Sequence, residues 1–276
     1  MDTRSILDLS LSLAQQSDVH ADTTINVPAS DVRKALIGID VDAGDLVMAK
    51  DQGYDLVIAH HPTGGPAVLE FPKVLAKHGD ILVRHGVPRD VADRAVREMT
   101  DAYEPRAHAE NYDYLPSIAR MLEIGLMCIH NPCDEIGRRV MDDTLRAQLP
   151  PNPRVRDAID VLHGIPEFRK AATRIVVRMG KLENLLGKWA VHHGAGTNGG
   201  LVIARAAFDH GIDTVFYIHI DAGALKSLWD LYGREGPRNL VVTGHVASDS
   251  IGINALVREL RTRGVHVDTY SGIVDV

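Results

Sequence analysis

Short apolar runs that stop in turn formers, separated by stretches with helical spacing, constrain this chain most. The clearest is Leu56-Val57-Ile58-Ala59, opened by Asp55 and closed by His60, His61, Pro62 and a Gly64-Gly65 pair. A run so short and rich in β-branched residues reads as a buried strand. A similar run at 34–40 precedes it, and 41–52 between them reads as a helix. That β-α-β order favours a parallel sheet and a right-handed crossover. Further strands are expected at 125–129, 174–179, 189–193, 214–220, 239–243 and 265–270. Helices are expected at 4–16, 71–84, 88–100, 114–122, 134–149, 201–210, 222–232 and 246–263. Residues 22–30 are polar and contain proline, so they read as a loop, as does the stretch around Pro105. The class is therefore α/β, with both halves on one plan. Pro150-Pro151-Asn152-Pro153 is the best linker candidate. It gives a first lobe at 1–150 and a second at 151–276, with the site expected between them.

A chain of 276 residues has room for a large core and roughly two domains. Its net charge of −7 argues against a general nucleic-acid binder, which usually carries a basic face. No apolar run is long enough to span a bilayer. The first 16 residues mix acids and polar groups among leucines, as an amphipathic helix does and a signal peptide does not. Cys128 and Cys133 are the two cysteines, too few for a disulfide framework or a zinc ribbon. A reducing cytoplasm fits that usage.

Histidines gather where strands end. His60 and His61 follow one run, and His130 follows another with Asp134 four residues on. His245 follows a third, with Asp249 four residues on at the start of a helix. Ligands of open α/β sheets bind beyond the carboxyl ends of strands. Neighbours on a straight strand point to opposite faces, so His60 and His61 converge only if the Pro-Gly turn bends the backbone. A His-x-x-x-Asp spacing on a helix places both side chains on one face, one turn apart. Imidazole with carboxylate suits zinc, manganese, iron, cobalt or nickel. The residues alone leave alternatives open. Strand-end histidines often pack or bond loops, and Asp134 and Asp249 could cap helix starts.

The ordered set DLVIAHHP, then HNPCD at 130–134, then GHVASD at 244–249 resembles the Nif-three-like family, also described as GTP cyclohydrolase type 2-like. That family carries AHHP after a strand, a central HTNLD-like segment and a C-terminal GHYATE-like segment. The GAG turn after His193 is similar too, and the likeness runs from about Val32 to Ser271. It implies an α/β fold of two similar lobes, each with a mixed or mostly parallel sheet flanked by helices. It also implies a dinuclear centre of two divalent ions and a ring-shaped hexamer. Carried across position by position, the ligands are His60, His61, Asp134, His245 and Asp249, with His130 beside them. The first lobe would then carry His60, His61, His130 and Asp134, and the second His219, His245 and Asp249. Two departures stand out. Asp249 replaces the usual glutamate and is one methylene shorter. Tyr217-Ile218-His219 stands where the family often has Thr-Gly-Glu, exchanging a negative charge for an imidazole.

The resemblance implies a metal-dependent hydrolase acting on a small molecule: a nucleotide, cyclic amide or phosphoester. Asp134 is the expected bridge between ions. His130, His219 or His192 are the expected proton carriers, because imidazole titrates near neutral pH. The GAGTNGG turn at 194–200 either presents N–H groups to an anion or is an ordinary strand-to-helix turn. The alternative to catalysis is a metal-binding ring scaffold for protein partners. Nucleic acid and membrane are not expected partners.

Overall fold

A computed structural model describes the whole chain, Met1 to Val276. Its strands are β1 (Thr23–Val27), β2 (Lys34–Gly38), β3 (Leu56–Ala59), β4 (Gly125–Ile129), β5 (Val176–Met179), β6 (Trp189–His192), β7 (Thr214–Tyr217), β8 (Asn239–Val242) and β9 (His266–Tyr270). Its α-helices are α1 (Thr3–Ala14), α2 (Ala43–Asp51), α3 (Pro66–Leu69), α4 (Ala76–Arg84), α5 (Arg89–Ala109), α6 (Tyr114–Leu122), α7 (Asn131–Gln148), α8 (Val155–Leu162), α9 (Pro166–Lys170), α10 (Gly200–Asp209), α11 (Ala222–Tyr232) and α12 (His245–Thr262). A 3-10 turn at Phe71–Leu75 leads into α4. No helix is long and apolar enough to cross a membrane.

The fold is mixed α/β with two sheets flanked by helices, one in each of two compact units. One unit comprises residues 1–74, 103–136 and 249–275; the other holds 75–102 and 137–248, with Val276. In the first, strand order is β1-β4-β3-β2-β9. The four strands β4, β3, β2 and β9 run parallel, and β1 is an antiparallel edge. Every residue of β3 and β4 is buried, as expected when helices cover both faces of a parallel sheet. One face gathers Leu36, Val57, Ala59 and Leu126 against Leu46 and Ala49 of α2 and Leu115 and Ala119 of α6. The second unit repeats the scheme in the order β5-β8-β7-β6, with β5 as the antiparallel edge.

Two local expectations are corrected. Residues 23–27 form β1, not a loop: the threonines and Asn26 are polar, but they pair along β4 from Thr23 opposite Ile129. An edge strand has one neighbour and half-wet side chains, so its sequence carries little apolar signal. Helix α5 also continues through Pro105. The segment around it is exposed, so water can satisfy the carbonyl freed by the missing N–H.

Two helices come very close in the first unit. A Cβ added to Gly252 of α12 would lie 1.9 Å from the Cys133 carbonyl oxygen of α7. Only glycine, with no Cβ, permits this approach.

In the second unit, His78 of α4 and His192 at the end of β6 are buried side by side, Nδ1 to Nδ1 at 3.4 Å. His78 Nε2 meets Thr197 Oγ1 at 3.0 Å. Burial opposes the charged form of each ring; it drives the His78 pKa down to about 3 and that of His192 well below its usual value. The unfolded chain takes up these protons near pH 6.5 while the folded chain does not, so stability falls as pH drops below that value. Denaturant unfolding is expected to show roughly 2 kcal/mol less stability at pH 5 than at pH 7.5 from His78 alone. The variant His78→Gln should lack that part of the slope; an unchanged slope contradicts the assignment.

Candidate metal centre

The parallel register builds the site. β2 and β3 end together, Gly38 opposite Ala59, and the pairing runs on: His60 N donates to Gly38 O at 2.8 Å and His61 N to Ile39 O at 3.0 Å. Asp40, at the end of β2, thereby lies beside His61. β4 ends one strand over, at His130. Because β1 runs antiparallel and pairs Thr23 with Ile129, Asp22 falls beside His130. Asp134 enters from the first turns of α7 and Asp249 from α12.

Each of the three imidazoles is tethered through Nδ1. His60 Nδ1 donates to the Ile129 carbonyl at 3.3 Å, His61 Nδ1 pairs with Asp40 at 2.7 Å, and His130 Nδ1 pairs with Asp22 at 2.8 Å. That leaves every Nε2 facing the acids. His60 Nε2 lies 3.2 Å from Asp134 and 3.6 Å from Asp249, and makes no hydrogen bond. His61 Nε2 lies 3.7 Å from Asp249, and His130 Nε2 3.6 Å from Asp134. The rings crowd together, with centroids 4.8 to 5.6 Å apart. His60, Asp134 and Asp249 are buried, whereas the His61 side chain is 25% exposed and opens the cluster to solvent.

Buried carboxylates this close draw in positive charge. Burial alone would depress the His130 imidazole, but the Asp134 charge and the Asp22 hydrogen bond outweigh it and raise the pKa to about 9. Burial likewise works against the His61 cation, yet bonds to Asp249 and Asp40 leave its pKa raised. A metal ion supplies the same charge. His60, His61 and His130, and again His60, Asp134 and Asp249, offer ligand atoms within 4.8 Å of one another, so these clusters could hold metal ions. A tethered Nδ1 with an inward Nε2 is how metal-binding histidines are oriented by their outer partners. The donor set fits a divalent transition ion.

The structure answers several expectations residue by residue. Asp134 and Asp249 lie inside α7 and α12 and cap neither. His245 opens α12, one turn before Asp249. In the second unit its ring lies 4.6 Å from that of His219, whose Nδ1 accepts from Asn198 Nδ2 at 2.7 Å. His192 is fully buried beside His78, and burial works against its charged form. The GAGTNGG turn bonds to itself: Gly199 N donates to Thr197 Oγ1 and Gly200 N to Asn198 Oδ1, so two of its donors are not offered to an anion. Asp22 and Asp40 were not legible as site residues. Both depend on strand pairing, and Asp22 on an edge strand that the sequence hides. Cys128 supports the same backbone, its thiol lying 3.2 Å from both the Asp22 and His60 carbonyls. Burial raises the pKa of both cysteines, so the thiols stay protonated.

A cavity of about 410 Å³ adjoins the cluster, lined by Pro62, Val68, Phe71, Tyr103, Arg106 and Glu110 among others. Phe71 stacks on His130, with centroids 6.4 Å apart and planes 29° from parallel.

No family model and no curated protein matches the chain. Among solved structures, HcgD from Methanocaldococcus jannaschii in its reduced form is 12% identical, aligning 100% of this chain with 98% of that one at a TM-score of 0.56. A Bacillus cereus protein related to NIF3 is also 12% identical, aligning 98% with 96% at a TM-score of 0.51. Both share the fold. A NIF3 superfamily protein from Sphaerobacter thermophilus is far closer: 45% identical over 99% of this chain and 98% of that one, at a TM-score of 0.95. The chain therefore belongs to the NIF3 superfamily.

The outer carboxylate on His61 makes a specific test. Asp40→Asn keeps the size but removes the charge that fixes the ring, and is expected to weaken divalent-metal affinity by about tenfold or more. Competition with a zinc-sensitive dye reads this, and unchanged affinity contradicts the orienting role.

Proposed function

We propose that the cluster is a dinuclear divalent-metal centre and that the protein is a metal-dependent hydrolase of small molecules. One observation carries the reading: three imidazoles anchored at Nδ1 turn their Nε2 atoms toward two buried carboxylates. His60 donates through Nδ1 and its Nε2 makes no hydrogen bond, so a cation between Nε2 and the carboxylate oxygens would meet donor atoms on both sides. His60, His61, Asp134 and Asp249 are the proposed ligands. Bound ions supply Lewis acidity and lower the pKa of water toward neutrality.

The chain's own groups do the rest. Asp22 holds the His130 ring so that Nε2 faces the cluster, where it can accept and return a proton. The Phe71–Tyr103 wall supports a flat ring in the adjoining cavity, and Arg106 supports an anionic or carbonyl substituent. A nucleotide, a cyclic amide or an aryl phosphoester meets that description, and the cavity lies in the size range of small-molecule sites. Purified protein supplied with manganese or zinc is expected to hydrolyse at least one member of such a panel. His130→Gln should lower the rate by about 100-fold or more while retaining metal. If no substrate turns over faster than with Asp249→Asn, the hydrolase reading fails while the metal centre is judged separately by its metal content.

A further inference from the structure

The second unit holds a basic cavity that the metal chemistry does not use. It measures about 480 Å³ and is lined by Arg84, His85, Arg138, Asp142, Arg146, Lys188 and Trp189, all residues of that unit. Four cations thus share its wall with one carboxylate, in a chain whose overall charge is −7. They arrive from three elements: Arg84 ends α4, Arg138 and Arg146 lie two turns apart on α7, and Lys188 precedes Trp189 at the start of β6. Arg138 is buried, at 9% exposure, which is unusual for a guanidinium and marks a built wall, not a solvated face. Asp142 is engaged within that wall: it accepts from Arg146 Nε at 2.9 Å and from the Trp189 indole N–H at 3.3 Å. Arg146 also lies over the Trp189 ring, 5.6 Å from guanidinium carbon to centroid. Arg84 gives one N–H to the Asp80 carbonyl, and Lys188 holds its ammonium beside Gly86, both exposed at the rim.

We propose that this cavity is a binding site for a small phosphate-bearing polyanion of diphosphate type. Guanidinium forks match phosphate oxygens in pairs, and an ammonium adds a point charge. Asp142 already meets Arg146, and a diphosphate carries enough charge to meet the exposed Arg84 and Lys188 at once. The volume exceeds what a diphosphate needs and admits an organic remainder against Trp189.

Trp189 provides the readout, because Trp229 is the one other tryptophan and can be replaced by phenylalanine. The full-length Trp229→Phe protein is titrated with inorganic pyrophosphate at constant ionic strength, with sodium chloride as the matched control. A saturable fluorescence change tighter than about 1 mM, absent with chloride, is expected. Adding Arg84→Gln and Lys188→Gln, both at exposed side chains, should weaken it by about tenfold or more with the melting temperature unchanged. Arg146→Gln should change the starting emission and weaken binding as well. No saturable change in the parent, or the same titration in the Arg84→Gln/Lys188→Gln protein, overturns the proposal. The second result would place any pyrophosphate effect elsewhere, including capture of metal ions from the His60 cluster.

Discussion

The arrangement of the first unit rests on two carboxylates, Asp134 and Asp249, kept out of water within reach of one imidazole nitrogen, His60 Nε2. Buried acids are costly unless positive charge meets them. The fold answers by bringing three imidazoles to the same end of one sheet and tying each from behind. The outward ties are graded in strength. A carbonyl holds His60, while full carboxylates hold His61 and His130. Those two rings can therefore carry more positive charge, and their raised pKa values follow from the same contacts. Without metal, protons fill this need; a bound metal would take their place at the ligating rings.

Sheet topology explains why distant parts of the sequence supply these groups. Three parallel strand ends bring Asp40, His60-His61 and His130 into one row, and the antiparallel β1 adds Asp22 from the opposite chain direction. Helices α7 and α12 lower Asp134 and Asp249 onto that row. Their closeness depends on Gly252 lying against the Cys133 backbone, where no larger residue fits without displacing it. The second unit repeats the sheet pattern but uses its strand-end histidines differently. His192 is sealed away with His78, while His219 lies beside His245.

Much of this was legible in the sequence because fully buried strands announce themselves. β3 and β4 are continuous apolar runs, and the histidines that close them mark the end of the sheet. The helix that carries Asp249 was clear from its periodicity, and the motif order pointed to the superfamily that the comparison shows. The groups behind the histidines were not legible. Asp40 becomes a site residue only through the register of β2 on β3. Asp22 does so only through a polar edge strand whose sequence, Thr23-Thr24-Ile25-Asn26-Val27, carries no strong period. Pro105 misled for a related reason, since solvent can satisfy what the proline removes. The basic cavity was hidden as well: Arg138, Asp142 and Arg146 share a helix face, but Arg84 and Lys188 join them only in three dimensions.

The most direct test of the account is anomalous diffraction, at the edge of whichever metal elemental analysis finds, from crystals of protein purified without chelator. The account predicts anomalous peaks bonded to His60 Nε2 and to the Asp134 and Asp249 carboxylates, at distances near 2.0–2.2 Å for a metal such as zinc. A map with no anomalous signal there, and with the carboxylates hydrogen-bonded to protonated imidazoles instead, would contradict it.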